Sequence, residues 1–338
     1  MRSVMSVLTK KPMHEKYAAI TDAGLGMKNS LIEFNPGKCL LPPSFENIAQ
    51  QILDAPVRKD DVWLVSFPRT GSTWCQEMIY LIGNNLDFEK SKSTLQQIRA
   101  PLIEMSTVFY DYTDLFKDLF TNSVEYVNNL PSPRFIKTHL PYQLLPTEMQ
   151  KVKPKMIYIM RNPKDLCVSF FHHCKLLYNF NVEFETFCEL FLNNAVAYGG
   201  IFNHYFEFWN RRDQDNLLVL KYEEMKEDTK GSVKKIADFL GKPLTDEEAE
   251  SVVDFLSFQR MRVNKSCNAE ALVENIQGKG YFEKAGVHFI RKGEVGDWKN
   301  HMSDDMARRF DVWIEENTKG TDLCFDTTES NSKNIQEE

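Results

Sequence analysis

The chain has 338 residues, 42% hydrophobic and 26% charged, a soluble globular composition with enough length to bury a large core in one domain or two. A net charge of −7 speaks against broad nucleic-acid binding, which needs a basic face, and confines any anion site to a local cluster of cations. The longest apolar runs, "DVWLVSF" and "KMIYIM", fall far short of the ~20 residues of a membrane span. The N-terminus carries no apolar block of signal-peptide length, so a cytoplasmic protein without a membrane partner is expected.

In chain order, residues 1–45 read as a mixed N-terminal segment punctuated by the turn formers "FNPGK" and "LPPSF". "VWLVSF" (62–67) predicts a strand, and Trp74, Met78, Leu81 and Ile82 then fall on one helix face that Gly83 stops. Strands are also predicted at "RFIKT" (134–138), at "MIYIM" (156–160) before the helical "PKDLCVSFFHHCKLL", and at "NLLVLKY" (216–222) before "SVKKIADFLG". Apolar runs without strict alternation, separated by helices, predict an α/β fold: a single domain whose central parallel sheet is flanked by helices on both faces. Thr245 and Glu248 have capping-box spacing and open "DEEAESVVDFL". With no repeat and no Gly/Ser or Pro linker, the expected organisation is the segment 1–45, one domain over 46–325, and a polar tail 326–338 with nothing to pack, expected to be disordered.

"SFPRTGSTW" (66–74) joins a predicted strand to a predicted helix. Ligands of open parallel sheets bind at the carboxyl ends of strands, and a helix N-terminus offers unpaired N–H groups to an anion. Gly71 permits close backbone approach, Ser72 and Thr73 add hydroxyls, and Arg69 adds a fixed charge. Two readings fit: an oxyanion cradle, P-loop-like in position, or a helix N-terminus capped by Ser or Thr. Gly71 is followed by Ser-Thr-Trp rather than Lys-Ser/Thr, so an anion bound without an obligatory metal is expected.

"FIKTHLP" sets Lys137 and His139 at a strand end, where the histidine is a general-base candidate or a structural residue. In "IMRNPKDLCVSFFHH", Arg161 ends a strand, Pro163 suits a helix start, and Ser169 lies on the helix. Adjacent His172 and His173 point to different helix faces, which disfavours a metal pair. Seven scattered cysteines without CxxC or zinc-type spacing read as reduced thiols. "FIRKGEVGDWKN" offers Arg291, Lys292 and Gly293, which can surround a phosphate or form a plain surface turn.

Together, "FPRTGSTW", "KTHLP", "RNPKDLCVSFFHH", "KYEEMKED", "SFQRM" and "RKGEVGDWKN" occur in the order and rough spacing of the cytosolic sulfotransferases, which the chain resembles over about residues 45 to 325. The resemblance implies a sulfotransferase using 3′-phosphoadenosine 5′-phosphosulfate (PAPS) as co-substrate, with no metal. It implies that the phosphosulfate lies on Arg69, Thr70, Gly71, Ser72 and Thr73, and that Arg161, Ser169, Arg291, Lys292 and Gly293 hold the 3′-phosphate. Trp74, Tyr222 and Phe258 would surround the adenine. His139 would take the acceptor's hydroxyl proton, while Lys137 would stabilise the transferring group, with Arg69 beside it. Such in-line transfer works through alignment and charge stabilisation, and no G-x-S-x-G nucleophile elbow is present.

Two departures from the family pattern matter. Arg69 stands where the family has Lys, and Thr70 and Ser72 stand where it has Ser and Thr. An arginine donates hydrogen bonds but releases no proton at working pH, so charge stabilisation rather than proton donation is expected of it. Of the family's Lys-x-x-x-Thr-Val-x-x-x-Glu dimer motif, which becomes Lys299, Ser303, Asp304 and Arg308 here, only the lysine fits. A monomer, or a homodimer through a different surface, is expected.

The segment between Pro101 and Lys137 is longer than in typical relatives and aromatic-rich: Phe109, Tyr110, Tyr112, Phe116, Phe120 and Tyr126. It reads as a lid over a small apolar hydroxyl acceptor, or as a helix that buries Leu115, Phe116, Leu119 and Phe120. A phenol is the first expectation, with steroid and isoprenoid alcohols next. Loops near the N-terminus, residues 101–133 and 268–286 are expected to shape the pocket. The longer lid also resembles retinol dehydratase, a sulfotransferase-like enzyme of insects, which implies transient sulfation and a dehydrated product. From another class, Arg69 raises a donor- or ligand-binding protein without turnover, against which His139 and Lys137 speak. The missing GK[ST] disfavours a nucleotide kinase.

Overall fold

The computed structural model describes residues 8–108, 117–285 and 287–325. The expected tail 326–338 and, from the segment read as a lid or a buried helix, Phe109, Tyr110, Tyr112, Leu115 and Phe116 lie outside the described residues. Near the N-terminus, β1 (Thr9–Pro12), β2 (Ile32–Asn35) and β3 (Cys39–Leu41) form an antiparallel sheet in that order, with "PGK" turning the chain between β2 and β3. Phe34 of β2 meets Phe45 edge to face, 5.0 Å between centroids. Both are fully buried, each stabilising the fold by about 1.5–3 kcal/mol.

The central sheet consists of β4 (Val62–Ser66), β5 (Phe135–Thr138), β6 (Lys155–Met160) and β7 (Leu217–Lys221), all parallel, in the order β5-β4-β6-β7. Its β-branched and aromatic residues suit a pleated surface, and both faces are buried. Trp63, Val65, Met156, Tyr158 and Met160 pack into one cluster together with the N-terminal sheet and the helices Pro163–Tyr178 and Ile201–Trp209. Val62, Leu64, Ile157 and Ile159 point the other way, onto the helices Ser72–Gly83, Thr229–Leu240 and Asp246–Phe255. The fold is thus the expected single α/β domain. At the amino ends of β4 and β5, Arg134 grips Asp61 through Nε–Oδ1 (2.7 Å) and Nη2–Oδ2 (2.5 Å), both side chains fully buried.

Three local expectations gain physical detail. Thr245 and Glu248 form both hydrogen bonds of the capping box. Gly83 ends its helix outside the left-handed region, so glycine is needed there for space rather than for backbone freedom: a Cβ would lie 2.3 Å from the Phe135 ring. Tyr222, read from sequence as the last residue of a strand, instead begins the helix Tyr222–Glu227. Among the described residues no helix is long and apolar enough to cross a membrane.

Candidate active site

Parallel pairing in register brings the carboxyl ends of the strands to one edge of the sheet, with β4 between β5 and β6. The chain leaves β4 through a tight turn in which Arg69 (φ 71°) and Gly71 (φ 97°) are both left-handed. Thr70 is buried and its Oγ1 donates to Phe67 O at 3.0 Å, closing the turn. The position of a capping Ser or Thr is taken by Gly71, with no side-chain cap. Ser72 and Thr73 are the first residues inside the helix, so their N–H groups have no partner within it. The capped-terminus reading does not hold, and the open N-terminus faces the site.

His139 follows β5. Its Nδ1 lies 2.7 Å from Ser66 O; a carbonyl only accepts, so Nδ1 carries the proton and Nε2 keeps its lone pair. Burial, and then the charge of Lys137, push its pKa well below the usual histidine range, leaving a neutral ring at pH 7. The backbone of His139 is clamped on both sides. Glu104 Oε1 accepts from its N–H at 2.7 Å, and His204 Nε2 donates to its carbonyl at 3.1 Å while Nδ1 accepts from Tyr158 O–H at 2.7 Å. Glu104 also accepts from Thr138 Oγ1 (2.9 Å) and Tyr198 O–H (3.3 Å). Its burial raises the carboxyl to about 7. Lys137 is brought to about 8 by burial and by the charge of Arg69.

A cation cluster occupies the other side. Arg69 donates from Nε to Ser169 Oγ (3.3 Å) and from Nη2 to Phe289 O (3.3 Å). Arg161 lies over the Tyr222 ring at 4.4 Å and donates to Glu294 O at 2.9 Å. Its Nε is buried with no hydrogen-bond partner among the described residues. Arg291 and Lys292 reach Asp297 at 2.5 and 2.6 Å, and Asp165 fixes their loop by accepting from the N–H groups of Gly296 (2.6 Å) and Trp298 (3.0 Å). Although burial opposes it, hydrogen bonds from Lys292, Asn300 and Arg291 hold the Asp297 carboxyl below the usual range. Arg69 is lowered to about 10 by burial and then by Arg161 and Arg291, the mark of cations held close together. The unpartnered Arg161 Nε and this mutual repulsion fit a ligand with more than one anionic group.

Turn, histidine and cations line one cavity of about 330 Å³. Arg69, Gly71, Ser72, Thr73, Lys137, His139, Arg161 and Ser169 line it, as do Trp74, Tyr222, Phe258, Arg291, Lys292 and Gly293. Of the residues predicted for the site, Thr70 alone does not, since its side chain closes the turn. Trp74 meets Tyr222 edge to face at 6.0 Å and donates from Nε1 to Leu256 O at 3.1 Å. Apolar lining comes from Leu102, Met105, Leu177 and Leu272, and from Phe170 beside His173. This lining rests on a third cluster in which Leu119 and Phe120 meet Leu272, Val273 and Phe282, so segments 101–133 and 268–286 both bound the pocket. His172 turns away to His301, 5.3 Å between centroids, whereas His173 lines the cavity. All seven cysteines are free thiols.

Sequence motifs did not single out Ser66 O, Glu104, Tyr198 or His204. They act through contacts 34 to 94 residues apart; the apolar setting of Glu104 in "PLIEM" was the one local signal.

A family model described as a sulfotransferase domain matches residues 59–322. The luciferin sulfotransferase of Photinus pyralis is 35% identical over 280 residues, 80% of this chain and 75% of that one. Among solved structures, retinol dehydratase in a complex with retinol and PAP is similar at a TM-score of 0.85 and 28% identity, over 95% of this chain and 99% of that one. The same enzyme with androsterone and the inactive cofactor PAP gives 0.84 at 29% identity, over 94% and 98%. A mouse sulfotransferase complexed with PAP gives 0.64 at 29% identity, over 82% and 91%. With these motifs, this sheet and this extent of similarity, the chain belongs to the sulfotransferase family.

Proposed function

We propose that the protein is a cytoplasmic enzyme that transfers the sulfonate of PAPS to the hydroxyl of a small apolar acceptor, with His139 as general base. The observation that carries this reading is His139 itself: a neutral imidazole, its Nδ1 committed to Ser66 O, lining a cavity whose walls hold both cations and apolar residues. That several solved relatives contain PAP supports the choice of donor.

When bound, the donor supplies a sulfonate activated by its bond to a phosphate. Arg69 and the backbone of Gly71, Ser72 and Thr73 hold the phosphosulfate, while Thr70 closes the turn that carries them. Arg161, Ser169, Arg291, Lys292 and the backbone of Gly293 hold the 3′-phosphate, and Trp74, Tyr222 and Phe258 enclose the base. Nε2 of His139 takes the proton of the acceptor hydroxyl as its oxygen attacks. Lys137 and Arg69 offset the negative charge that gathers on the departing phosphate oxygen. Arg69 stays protonated at neutral pH, so its part is electrostatic. No metal is needed for these roles.

A phenol is the first acceptor, because an apolar pocket and a histidine base suit a weakly acidic hydroxyl. The second reading is a dehydratase acting through transient sulfation. Its support is that similarity to retinol dehydratase extends over 95% of the chain at TM-score 0.85, against 82% and 0.64 for the mouse sulfotransferase. Incubation with PAPS and simple phenols, a steroid alcohol and retinol, with products weighed by mass spectrometry, decides. A gain of sulfonate on any acceptor supports transfer, PAPS-dependent loss of water from retinol supports the dehydratase, and PAP binding without product would leave a binding protein. The dimer-motif departures, with Arg308 paired to Asp305 at 3.2 Å, lead us to propose a monomer or a dimer through another surface; light scattering showing a dimer broken by Lys299→Ala would contradict this.

A further inference from the structure

His173 has no part in the transfer step described above, yet it stands in the cavity wall. It lies on the helix Pro163–Tyr178, one turn beyond Ser169. Its ring sits among aromatic neighbours: Tyr178 at 5.9 Å, Phe289 at 6.0 Å and Phe170 at 6.1 Å between centroids. Its Nδ1 is 3.5 Å from Nη1 of Arg69, at the long end of hydrogen-bond reach.

A guanidinium only donates. In that contact Nδ1 is therefore the accepting nitrogen, and the ring hydrogen resides on Nε2. Burial, followed by the charges of Arg69, His139 and Lys137, pushes the pKa of His173 well below the usual range, so the ring is neutral and keeps one donor and one acceptor nitrogen. The cavity thus holds two imidazoles of opposite tautomer. His139 presents a lone pair, and His173 presents an N–H that has no acceptor among the described residues. An N–H desolvated by an all-hydrocarbon ligand goes unpaired and opposes binding; an oxygen placed opposite it removes that penalty.

We propose that His173 determines acceptor specificity by donating its Nε2–H to a second oxygen of the acceptor, an ether, carbonyl or hydroxyl oxygen distinct from the one that is sulfated. The preferred acceptors are then oxygenated phenols rather than hydrocarbon-substituted ones. This rests on the transfer reading of the cavity, and its test separates the two.

The test compares matched acceptors of nearly equal volume: methoxyphenols against ethylphenols, and hydroxyacetophenones against isopropylphenols, with the substituent at each ring position. Initial rates of sulfate-ester formation from PAPS are measured for the wild type, His173→Phe and His173→Gln, and calorimetric PAP binding checks that each variant is folded. In the wild type, kcat/KM favours the oxygenated partner by about 10- to 100-fold at one ring position or more. In His173→Phe that ratio falls to near one, while His173→Gln, which keeps an N–H, retains part of it. A wild-type ratio near one, with ethylphenols sulfated readily, overturns the role of His173 and leaves the transfer reading standing. An equal loss for both members of each pair in His173→Phe also overturns it, since the side chain would then act through Arg69 or the donor. No sulfate ester from any acceptor overturns the transfer reading itself.

Discussion

Gly71→Ala tests whether the turn after β4 is built for close approach. Gly71 has φ 97°, and a Cβ there would lie 2.5 Å from Cδ2 and 2.8 Å from Cε2 of Tyr222. The left-handed conformation costs a non-glycine residue about 1–2 kcal/mol. Overpacking against a buried ring adds about 1–3 kcal/mol. Urea unfolding should therefore show a loss of about 2–5 kcal/mol, the sum of the two. Relief of the clash moves the Tyr222 ring, on whose face Arg161 lies at 4.4 Å. Loss of that contact, about 0.5–2 kcal/mol, corresponds to a PAP dissociation constant about 2- to 30-fold higher by calorimetry. Stability within about 0.5 kcal/mol of wild type, together with unchanged PAP affinity, would refute the reasoning.

Asp61→Ala strands the buried Arg134 guanidinium, so urea unfolding should show about 3–5 kcal/mol lost; a loss below about 1 kcal/mol would mean that water reaches the arginine. The pH profile of kcat/KM should fall on the alkaline side near 8, where Lys137 gives up its proton, and on the acid side only well below the usual histidine range, where His139 is protonated. In Lys137→Arg, whose guanidinium stays charged, the alkaline limb should vanish; its persistence would assign that limb elsewhere. The folded carboxyl of Glu104 is raised to about 7, above its ordinary value of about 4.3. Its contribution to stability is complete below that ordinary value and is lost as pH rises through about 7. Relative to Glu104→Gln, the wild type should lose stability from roughly pH 5 to roughly pH 8 in urea unfolding, and a pH-independent difference would contradict this.

Strands β4 and β6 were legible because both of their faces are buried, which writes them as unbroken apolar runs. The residues of the turn, Lys137, His139 and Arg161 were legible for a related reason: they interrupt those runs where parallel strands end. The antiparallel sheet β1–β3 was not, since strands of three or four residues, one of them the exposed "TKKP", leave no period to read, and they hold through Phe34, Cys39 and Leu41 packing on a distant core. Glu104 looked like one charge in an apolar lid segment; only the fold places it against Thr138, His139 and Tyr198. Side-chain direction was equally beyond the sequence, as Thr70 shows by closing its own turn and His173 by facing Arg69 while its neighbour His172 faces His301.

The central claim is that Nε2 of His139 removes the acceptor proton. The most direct test is mass spectrometry of the products formed from PAPS and the phenol panel by the wild type and by His139→Ala, each shown by calorimetry to bind PAP. A sulfate ester made by the wild type and lost in the variant, with PAP affinity retained, is the predicted result. Ester formed by the variant at the wild-type rate would contradict it.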